Sequence, residues 1–283
     1  MTTQASARPV DGAQSIRRAL AVLRLLAAGQ ELGVRLTDLA ATSGLRRPTL
    51  HRILRVLVEE QAVEQDPETR CYRIGQDLTL LGLARKSRFP LRSLARPGLD
   101  LLCREIGDTV FLSVRTGLDS ICIDRAVGSW PLQVLALEIG ARRPLGVGVS
   151  GVAMLAAMPP AEASRIIEAN AVRLDRYALD GAVLADAVRL ARERGYAYAP
   201  NGIVRSTRAV AAAVLDGGGH PVAAISVAGM ANRLTAARLP SIITLLRRQT
   251  RTMAETLAER GAKRATRAAS STRRNGRRQP HPD

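Results

Sequence analysis

The chain has few of the residues that cross-link or anchor small proteins. Its 283 residues include three cysteines, and Cys71, Cys103 and Cys122 lie far apart with no Cys-x-x-Cys pair among them. This spacing argues against a disulfide framework or a zinc site, so we expect free thiols and no bound metal. No stretch reaches the roughly 18 consecutive apolar residues that a membrane helix needs. Residues 1–10 lack the apolar core of a signal peptide, and we therefore predict a cytoplasmic protein.

Residues for the common catalytic devices are also scarce. The only lysines are Lys86 and Lys263, and neither follows a glycine-rich phosphate loop. Residues 148–152 read Gly-Val-Ser-Gly-Val, which lacks the final glycine of the G-x-S-x-G nucleophile motif. The three histidines fall in a basic helix, a turn and the C-terminal segment, where none is a persuasive general base. We therefore predict that the chain is not an enzyme and needs no cofactor.

The sequence is rich in basic charge. Its formal net charge is +17, carried almost entirely by arginine. The first 92 residues contain 15 Arg or Lys against 9 Asp or Glu, and the last 23 contain 7 against 1. Because Arg and Lys displace condensed counterions from phosphates, this distribution favours an anionic polymer as partner. The length fits one small domain followed by one of about 150 to 180 residues.

Three helices are predicted near the N-terminus. The apolar stripe of the first, which begins at Ser15, consists of Ile16, Leu20, Leu23 and Ala27. The second is expected to be capped by Thr37 and to end at Gly44, which can adopt the left-handed conformation. Pro48 suits the first turn of the third helix, which runs to about Glu60. Two short helices joined by a tight turn form a helix-turn-helix pattern.

The third helix has two chemically different faces. Its apolar stripe recurs at i, i+3, i+4 and i+7 and consists of Leu50, Ile53, Leu54 and Leu57. On the other face, arginine can pair with guanine in the major groove, and a hydroxyl can bond phosphate or a base edge. We therefore predict DNA contacts from Arg46, Arg47, Thr49, His51, Arg52 and Arg55. Taken alone, a solvated helix face with scattered arginines is an equally good interpretation of this pattern.

A hairpin is predicted after the third helix. Residues 63–65 and 70–74 read as two strands around a turn, since Asp and Pro favour turn positions. A hairpin in this place would be the wing of a winged helix-turn-helix, and Arg70 and Arg73 would touch the DNA backbone or minor groove. Either arginine could equally be a plain surface charge. Residues 76–90 are predicted as a linker helix.

The rest of the chain predicts an α+β domain. A helix near residues 91–106 is followed by two hairpins within residues 109–124 and 209–227, with helices between them. Pro240 begins a long amphipathic helix that is expected to close at Gly261. The resulting domains are 1–13, a flexible arm; 14–75, the winged helix-turn-helix; 76–90, the linker helix; 91–261, the α+β domain; and 262–283, a disordered basic tail without apolar periodicity.

Seven motifs stand in a fixed order along the two domains. Three lie in the first, at residues 17–23, 36–40 and 51–57. Four lie in the second, at residues 139–145, 151–156, 194–196 and 223–229. Each motif alone is weak, but their order and spacing resemble the IclR family of bacterial transcription regulators over about residues 12–260.

The resemblance implies a function and an architecture. The second domain would be similar to a GAF or profilin-like sheet that binds a small metabolite, and the protein would be a homodimer or homotetramer on a palindromic operator. The expected function is sequence-specific regulation of transcription, as repressor or activator. A nonspecific nucleoid-type DNA-binding protein is the alternative, although it would leave the large second domain unexplained.

The chain departs from the usual family pattern at several positions. Pro48 replaces a serine that commonly precedes Thr49, which removes one phosphate contact. Gln61 and Ala62 stand where glycine and an aromatic residue are common. Val152 replaces a common lysine. These departures weaken the transfer of residue roles rather than the resemblance itself.

The resemblance also implies where an effector would bind. The corresponding positions are Val149, Ser150, Ala199, Ala209, Ser226 and Ala228. Most are small and apolar, while two hydroxyls and the backbone N–H groups near Gly151 can bind a carboxylate. We therefore expect a small anion with a larger apolar body, such as an aromatic acid. The alternative is that these six residues belong to an ordinary core.

Overall fold

The structure is a computed structural model that describes residues 13–28, 33–83 and 91–275. It divides into two compact units between residues 89 and 90. The predicted flexible arm lies outside the described residues apart from Ala13, and so do the last seven residues of the predicted linker helix. Among the described residues, no helix is both long enough and apolar enough to cross a membrane.

Three helices build the first unit. They are α1 (Gln14–Ala28), α2 (Leu36–Ser43) and α3 (Arg47–Glu59). Their shared core contains the fully buried side chains of Val22, Leu26, Leu39, Leu50 and Leu54. The stripe predicted for α1 is wrong in part: Leu23 packs against this core, but Ile16 is 63% exposed and Leu20 is 45% exposed. The helix fully buries Val22 and Leu26 of the neighbouring stripe instead.

The turn between α2 and α3 follows the sequence prediction. Gly44 has a φ of 67°, and its N–H donates to the carbonyl of Ala40. Pro48 lies in the first turn of α3, where its missing N–H costs no hydrogen bond. The predicted Thr37 cap is wrong, because Thr37 lies inside α2 and its hydroxyl donates to the Asp38 carboxylate at 3.2 Å.

A small sheet completes the first unit. Strand β1 (Val63–Gln65) pairs antiparallel with β2 (Tyr72–Ile74), and helix α4 (Gln76–Leu83) follows. Val34 and Tyr72 exchange two backbone hydrogen bonds of 2.8 and 2.9 Å, which ties the hairpin to the segment before α2. The predicted hairpin is therefore confirmed, in the position of a wing.

The second unit is built around one antiparallel sheet. Its strands are β3 (Thr109–Thr116), β4 (Asp119–Ala126), β5 (Arg142–Pro144), β6 (Ala197–Ala199), β7 (Thr207–Leu215) and β8 (Pro221–Met230). Their order is β5-β4-β3-β8-β7-β6, so the two predicted hairpins meet at the centre. Both hairpins and the α+β class are confirmed. The three-residue edge strands β5 and β6 were not expected from the sequence.

Helices cover both faces of this sheet. They are α5 (Leu91–Ile106), α6 (Val149–Ala156), α7 (Pro160–Leu174), α8 (Gly181–Arg194) and α9 (Leu239–Asn275). Helices α5 and α9 bury one face, where Leu102, Leu112, Ile225 and Leu246 share a core. Helix α6 packs on the other face with α7 and α8 behind it. Because alternate side chains of a strand point to opposite faces, each central strand contributes to both layers.

Helix α9 is longer than predicted. It continues through Gly261 to Asn275, so the expected helix end at Gly261 and the predicted disorder of residues 262–275 are wrong. Alanine, arginine and lysine have high intrinsic helix propensity, and one glycine costs only about 1 kcal/mol. Because residues 262–275 have no apolar period, the sequence predicts that this segment buries no face. It does not predict that the segment is not helical. Residues 276–283 lie outside the described residues.

Candidate DNA-binding and ligand-binding sites

Helix α3 separates its apolar and basic residues. Leu50 and Leu54 are fully buried. The six predicted contact residues form what we call the α3 basic face, and all are exposed except Thr49, which is half-buried: Arg46, Arg47, Thr49, His51, Arg52 and Arg55. The same helix thus contributes to the core and presents cationic donors to solvent, which is the arrangement that major-groove recognition requires.

Arg55 is the member of the α3 basic face with an intrahelical ion pair. Its Nε lies 3.5 Å from Oε1 of Glu59, and both side chains are more than 60% exposed. An exposed pair of this kind contributes little to stability, because solvent and salt screen it. Arg55 can therefore exchange Glu59 for a phosphate or a base edge at small cost.

The two arginines predicted to contact DNA from the wing lie in different surroundings. Arg70 is exposed at the turn and has a φ of 57°, a left-handed conformation that is unusual for a residue with a side chain. Arg73 is half-buried, with Nη2 at 3.1 Å from Asp66 Oδ2 and Nε at 3.9 Å from Glu64 Oε2. Arg70 is thus exposed to solvent, whereas Arg73 already bridges the two strands of its own hairpin.

Asp66 organises the turn of this hairpin. Its Oδ1 accepts hydrogen bonds from the backbone N–H groups of Glu68 at 3.0 Å and Thr69 at 2.8 Å. Hydrogen bonds from Thr69, the larger contribution, and from Glu68 hold the pKa of the Asp66 carboxyl below its ordinary value, and the charge of Arg73 acts in the same direction. The wing is therefore fixed from within by an ionised Asp66.

The second unit contains a cavity of about 580 Å³ on the sheet face covered by α6. All six residues predicted for an effector site line it: Val149, Ser150, Ala199, Ala209, Ser226 and Ala228. They come from α6 and from the three consecutive strands β6, β7 and β8, which follow about 40 residues later in the chain. The volume falls within the range of about 300 to 1,000 Å³ that is usual for small-molecule sites.

Two buried hydroxyl groups meet at the wall of this cavity. Ser150 is 8% exposed and Ser226 is 4% exposed, and Ser150 Oγ donates to Ser226 Oγ at 3.1 Å. Ser150 lies in the first turn of α6, whose unpaired N–H groups and helix dipole favour an acceptor or a negative charge. Gly151 lets this end of α6 pack closely against the preceding loop, since a Cβ there would lie 2.5 Å from the backbone nitrogen of Gly146.

Arg143 also lines the cavity, although it was not among the residues predicted for the effector site. It is half-buried in β5, and its Nη2 donates to the carbonyl of Ala136 at 2.8 Å. Burial lowers its pKa, while interactions with Tyr177 and Cys122 raise it. The sequence offered no periodic signal for it, because β5 has only three residues and pairs only at the sheet edge.

Cys122 lines the same cavity without the properties of a nucleophile. Burial is the main effect that raises the pKa of its thiol to about 12, so the reactive thiolate is not populated at neutral pH. Among the described residues, no group of three His, Cys, Asp or Glu side chains could hold a metal ion. The cavity therefore offers hydrogen bonds, one cation and apolar contact.

Comparisons with known proteins match both units. A family model described as "IclR helix-turn-helix domain" matches residues 15–67, and one described as "Bacterial transcriptional regulator IclR C-terminal" matches residues 84–255. The chain is 33% identical over 238 residues to the glycerol operon regulatory protein of Streptomyces griseus, covering 83% of this chain and 92% of that protein.

Solved structures share the fold. An IclR family transcriptional regulator from Brucella abortus superposes with a TM-score of 0.67 at 22% identity, covering 90% of this chain and 96% of that one. An IclR homologue from Microbacterium hydrocarbonoxydans, crystallised as a complex with 4-hydroxybenzoate, gives 0.66 at 20% identity, with 86% and 98% covered. At these identities the likeness concerns the fold alone.

Proposed function

The chain belongs to the IclR family of bacterial transcription regulators, and on this premise we propose that a small acidic molecule in the cavity changes its affinity for an operator. The observation that carries the proposal is that all six predicted effector residues line one cavity. A chain with a DNA-reading helix and a ligand-sized cavity has the two sites that allosteric regulation requires.

The proposed DNA contacts come from α3 and the wing. The α3 basic face would enter the major groove, with Arg52 and Arg55 at base edges or phosphates, while Arg70 would bind the backbone beside it. We assign Arg73 a different part from the one expected, namely holding the wing in shape, because its charge is already paired with Asp66 and Glu64.

The proposed effector binds beside Ser150 and Ser226. Their hydroxyls and the first N–H groups of α6 would bind an oxygen-bearing group, and the alanine and valine lining would hold an apolar body. An aromatic acid fits this chemistry, and the relative from Microbacterium hydrocarbonoxydans was crystallised with such a molecule, 4-hydroxybenzoate. Under this proposal the cavity binds its ligand without chemical conversion.

A homo-oligomer is part of the proposal. Ile16 and Leu20 of α1 and Leu80 and Leu81 of α4 are between 45% and 63% exposed, although all four are large and apolar. A second copy of the first unit would bury these side chains and place two α3 helices on a two-fold symmetric operator. The regulator would act in the cytoplasm, where bacterial chromosomal DNA lies.

A gel-shift assay on the DNA upstream of the protein's own gene tests the proposed function. Saturable binding that survives excess random DNA is expected, and a panel of small aliphatic and aromatic acids should contain members that change this affinity. Equal affinity for upstream and random DNA would contradict sequence-specific regulation. Specific binding that no acid alters, combined with no acid binding in the cavity, would contradict the effector assignment alone.

A further inference from the structure

Arg143 lies at the β5 edge of the cavity, and the preceding residue has a different task. Arg142 lies outside the cavity lining and forms an ion pair of 2.7 Å with Asp119. We propose that Arg143 binds the carboxylate of an elongated ligand whose far end carries a second oxygen-bearing group at the Ser150–Ser226 pair. This inference rests on the proposed function, since it assigns the two ends of the same cavity.

The residues that line the cavity carry a net positive charge. None of the residues that line it is Asp or Glu, and Arg143 is the only charged residue of the lining. Its guanidinium donates to the carbonyl of Ala136, which is neutral. Other arginines of the sheet are paired with carboxylates. Arg115 Nη2 lies 2.7 Å from Glu162 Oε1, and Arg125 Nη1 lies 3.6 Å from Glu138 Oε2. Within the described residues, Arg143 thus brings a positive charge into the cavity without a carboxylate to balance it.

The energetics favour an anionic ligand. A guanidinium stays protonated in proteins, so partial burial leaves a charge that has lost part of its hydration. Burial acts to lower the pKa of Arg143, which is the sign of this desolvation. A ligand carboxylate can accept two parallel N–H bonds from the guanidinium and restore the lost interactions. A neutral ligand cannot do so.

The strand order places the Ser150–Ser226 pair well away from Arg143, where it can bind the other end of the ligand. Strands β4 and β3 lie between β5 and β8, so Arg143 and Ser226 are three strand spacings apart, roughly 14 Å across the strands. The register also offsets them by four residues, roughly 13 Å along the strands, so the two groups lie at diagonally opposite parts of the cavity. Phe111 of β3 lines the cavity between these strands and is 3% exposed. An apolar or aromatic body can rest on Phe111 while polar groups reach Arg143 at one end and the serine pair at the other.

Calorimetric titration of the full-length protein with three related probes tests this assignment. The first probe, 4-hydroxybenzoate, carries both a carboxylate and a hydroxyl group. Benzoate carries the carboxylate alone, and 4-hydroxybenzamide carries the hydroxyl group with a neutral amide in place of the carboxylate. We expect 4-hydroxybenzoate to bind most tightly. Arg143→Gln should weaken both acids by about tenfold, equivalent to about 1.4 kcal/mol, and leave the amide unchanged. Arg143→Lys should retain part of the preference for acids.

The matched control is Arg142→Gln, which removes the same charge from the same strand outside the cavity. It should leave the order of the three probes unchanged, and thermal unfolding of every variant shows whether it is folded. The assignment would be overturned if Arg143→Gln lost the same affinity for the acids and for the amide, or if both glutamine variants lost the same affinity for the acids. It would also be overturned if no acid bound at millimolar concentration. Because these titrations contain no DNA, such a result would not contradict sequence-specific DNA binding, which the gel-shift assay tests separately.

Discussion

Ser150 and Ser226 are 76 residues apart in the chain, and their hydroxyl oxygens lie 3.1 Å apart at the wall of the cavity. One comes from the first turn of α6 and the other from the central strand β8. In their hydrogen bond Ser150 is the donor and Ser226 is the acceptor. A ligand oxygen can insert into this pair because each hydroxyl can donate as well as accept.

Filling the cavity at Ser226 should uncouple the protein from its effector. Ser226→Leu places a larger apolar side chain where the ligand oxygen would bind, and overpacking of this kind costs about 1 to 3 kcal/mol of stability. Gel shifts with an acid that alters wild-type DNA binding should show no response in the variant. Ser226→Ala serves as the comparison, since it removes the hydroxyl without filling space. An undiminished response in Ser226→Leu would place the effector elsewhere.

Loss of Arg52 or Arg55 should weaken operator binding without unfolding the protein. Each alanine variant is expected to lose about 1 to 3 kcal/mol of binding free energy if the arginine contacts a base, with a relaxed sequence preference. Arg189→Ala is the matched control for Arg55→Ala, because Arg189 forms the same exposed i,i+4 pair with Glu193 in the second unit. Unchanged affinity and salt dependence in both α3 variants would remove this helix from the DNA interface.

The two wing arginines should give different phenotypes. Arg70→Ala is expected to reduce the slope of affinity against salt by about one unit and to leave thermal unfolding unchanged, because it removes one phosphate contact. Arg73→Ala should lower the melting temperature, since Asp66 and Glu64 lose their shared cation. Salt-dependent binding and thermal denaturation of both variants make the comparison. A lower salt slope in Arg73→Ala with an unchanged melting temperature would show that Arg73 contacts DNA directly.

Exposed apolar residues on α1 should hold copies of the chain together. Replacing Ile16 and Leu20 with glutamate puts charges on side chains that the first unit does not bury, so the unit should fold while self-association weakens. Sedimentation velocity measures the association state, and gel shifts should show a parallel loss of operator affinity. The double variant Leu132→Glu and Val172→Glu, at exposed positions of the second unit outside the cavity, is the control. Identical sedimentation of wild type and the α1 variant would contradict this interface.

The basic C-terminal segment should add affinity without specificity. Truncation after Gly261 removes seven Arg or Lys residues and one Asp. We expect weaker binding to random DNA and an operator-to-random ratio that is unchanged or higher, because phosphate neutralisation is independent of sequence. Binding to both DNAs over a range of salt concentrations gives the ratio. Loss of operator discrimination on truncation would assign this segment a specific role.

Sequence patterns predicted the elements that have strong local signals. The bounds of α5 and the positions of both hairpins follow from periodicity and turn residues. The core stripe of α1 could not be chosen from the sequence, because Ile16 with Leu20 and Val22 with Leu26 both recur at i, i+4. The choice depends on where α2 and α3 pack, which is tertiary information.

The cavity was predictable in part. Ser150 and Ser226 were identified through a family resemblance, and the structure brings them into contact. Arg143 was missed because β5 has three residues and pairs only at the sheet edge, which is too short for a periodic signal. The engagement of Arg73 was likewise invisible, since it depends on how Asp66 and Glu64 meet across the hairpin.

The two faces of the sheet leave the regulator free to change its ligand during evolution. Leu112 and Ile225 face the layer of α5 and α9, while their neighbours Phe111 and Ser226 face the cavity. Substitutions at every second position of β3 and β8 would therefore change which ligand binds without creating a cavity in the core beneath α5 and α9. A chain with this fold can thus acquire a new ligand specificity by exchanging only the residues that face the cavity.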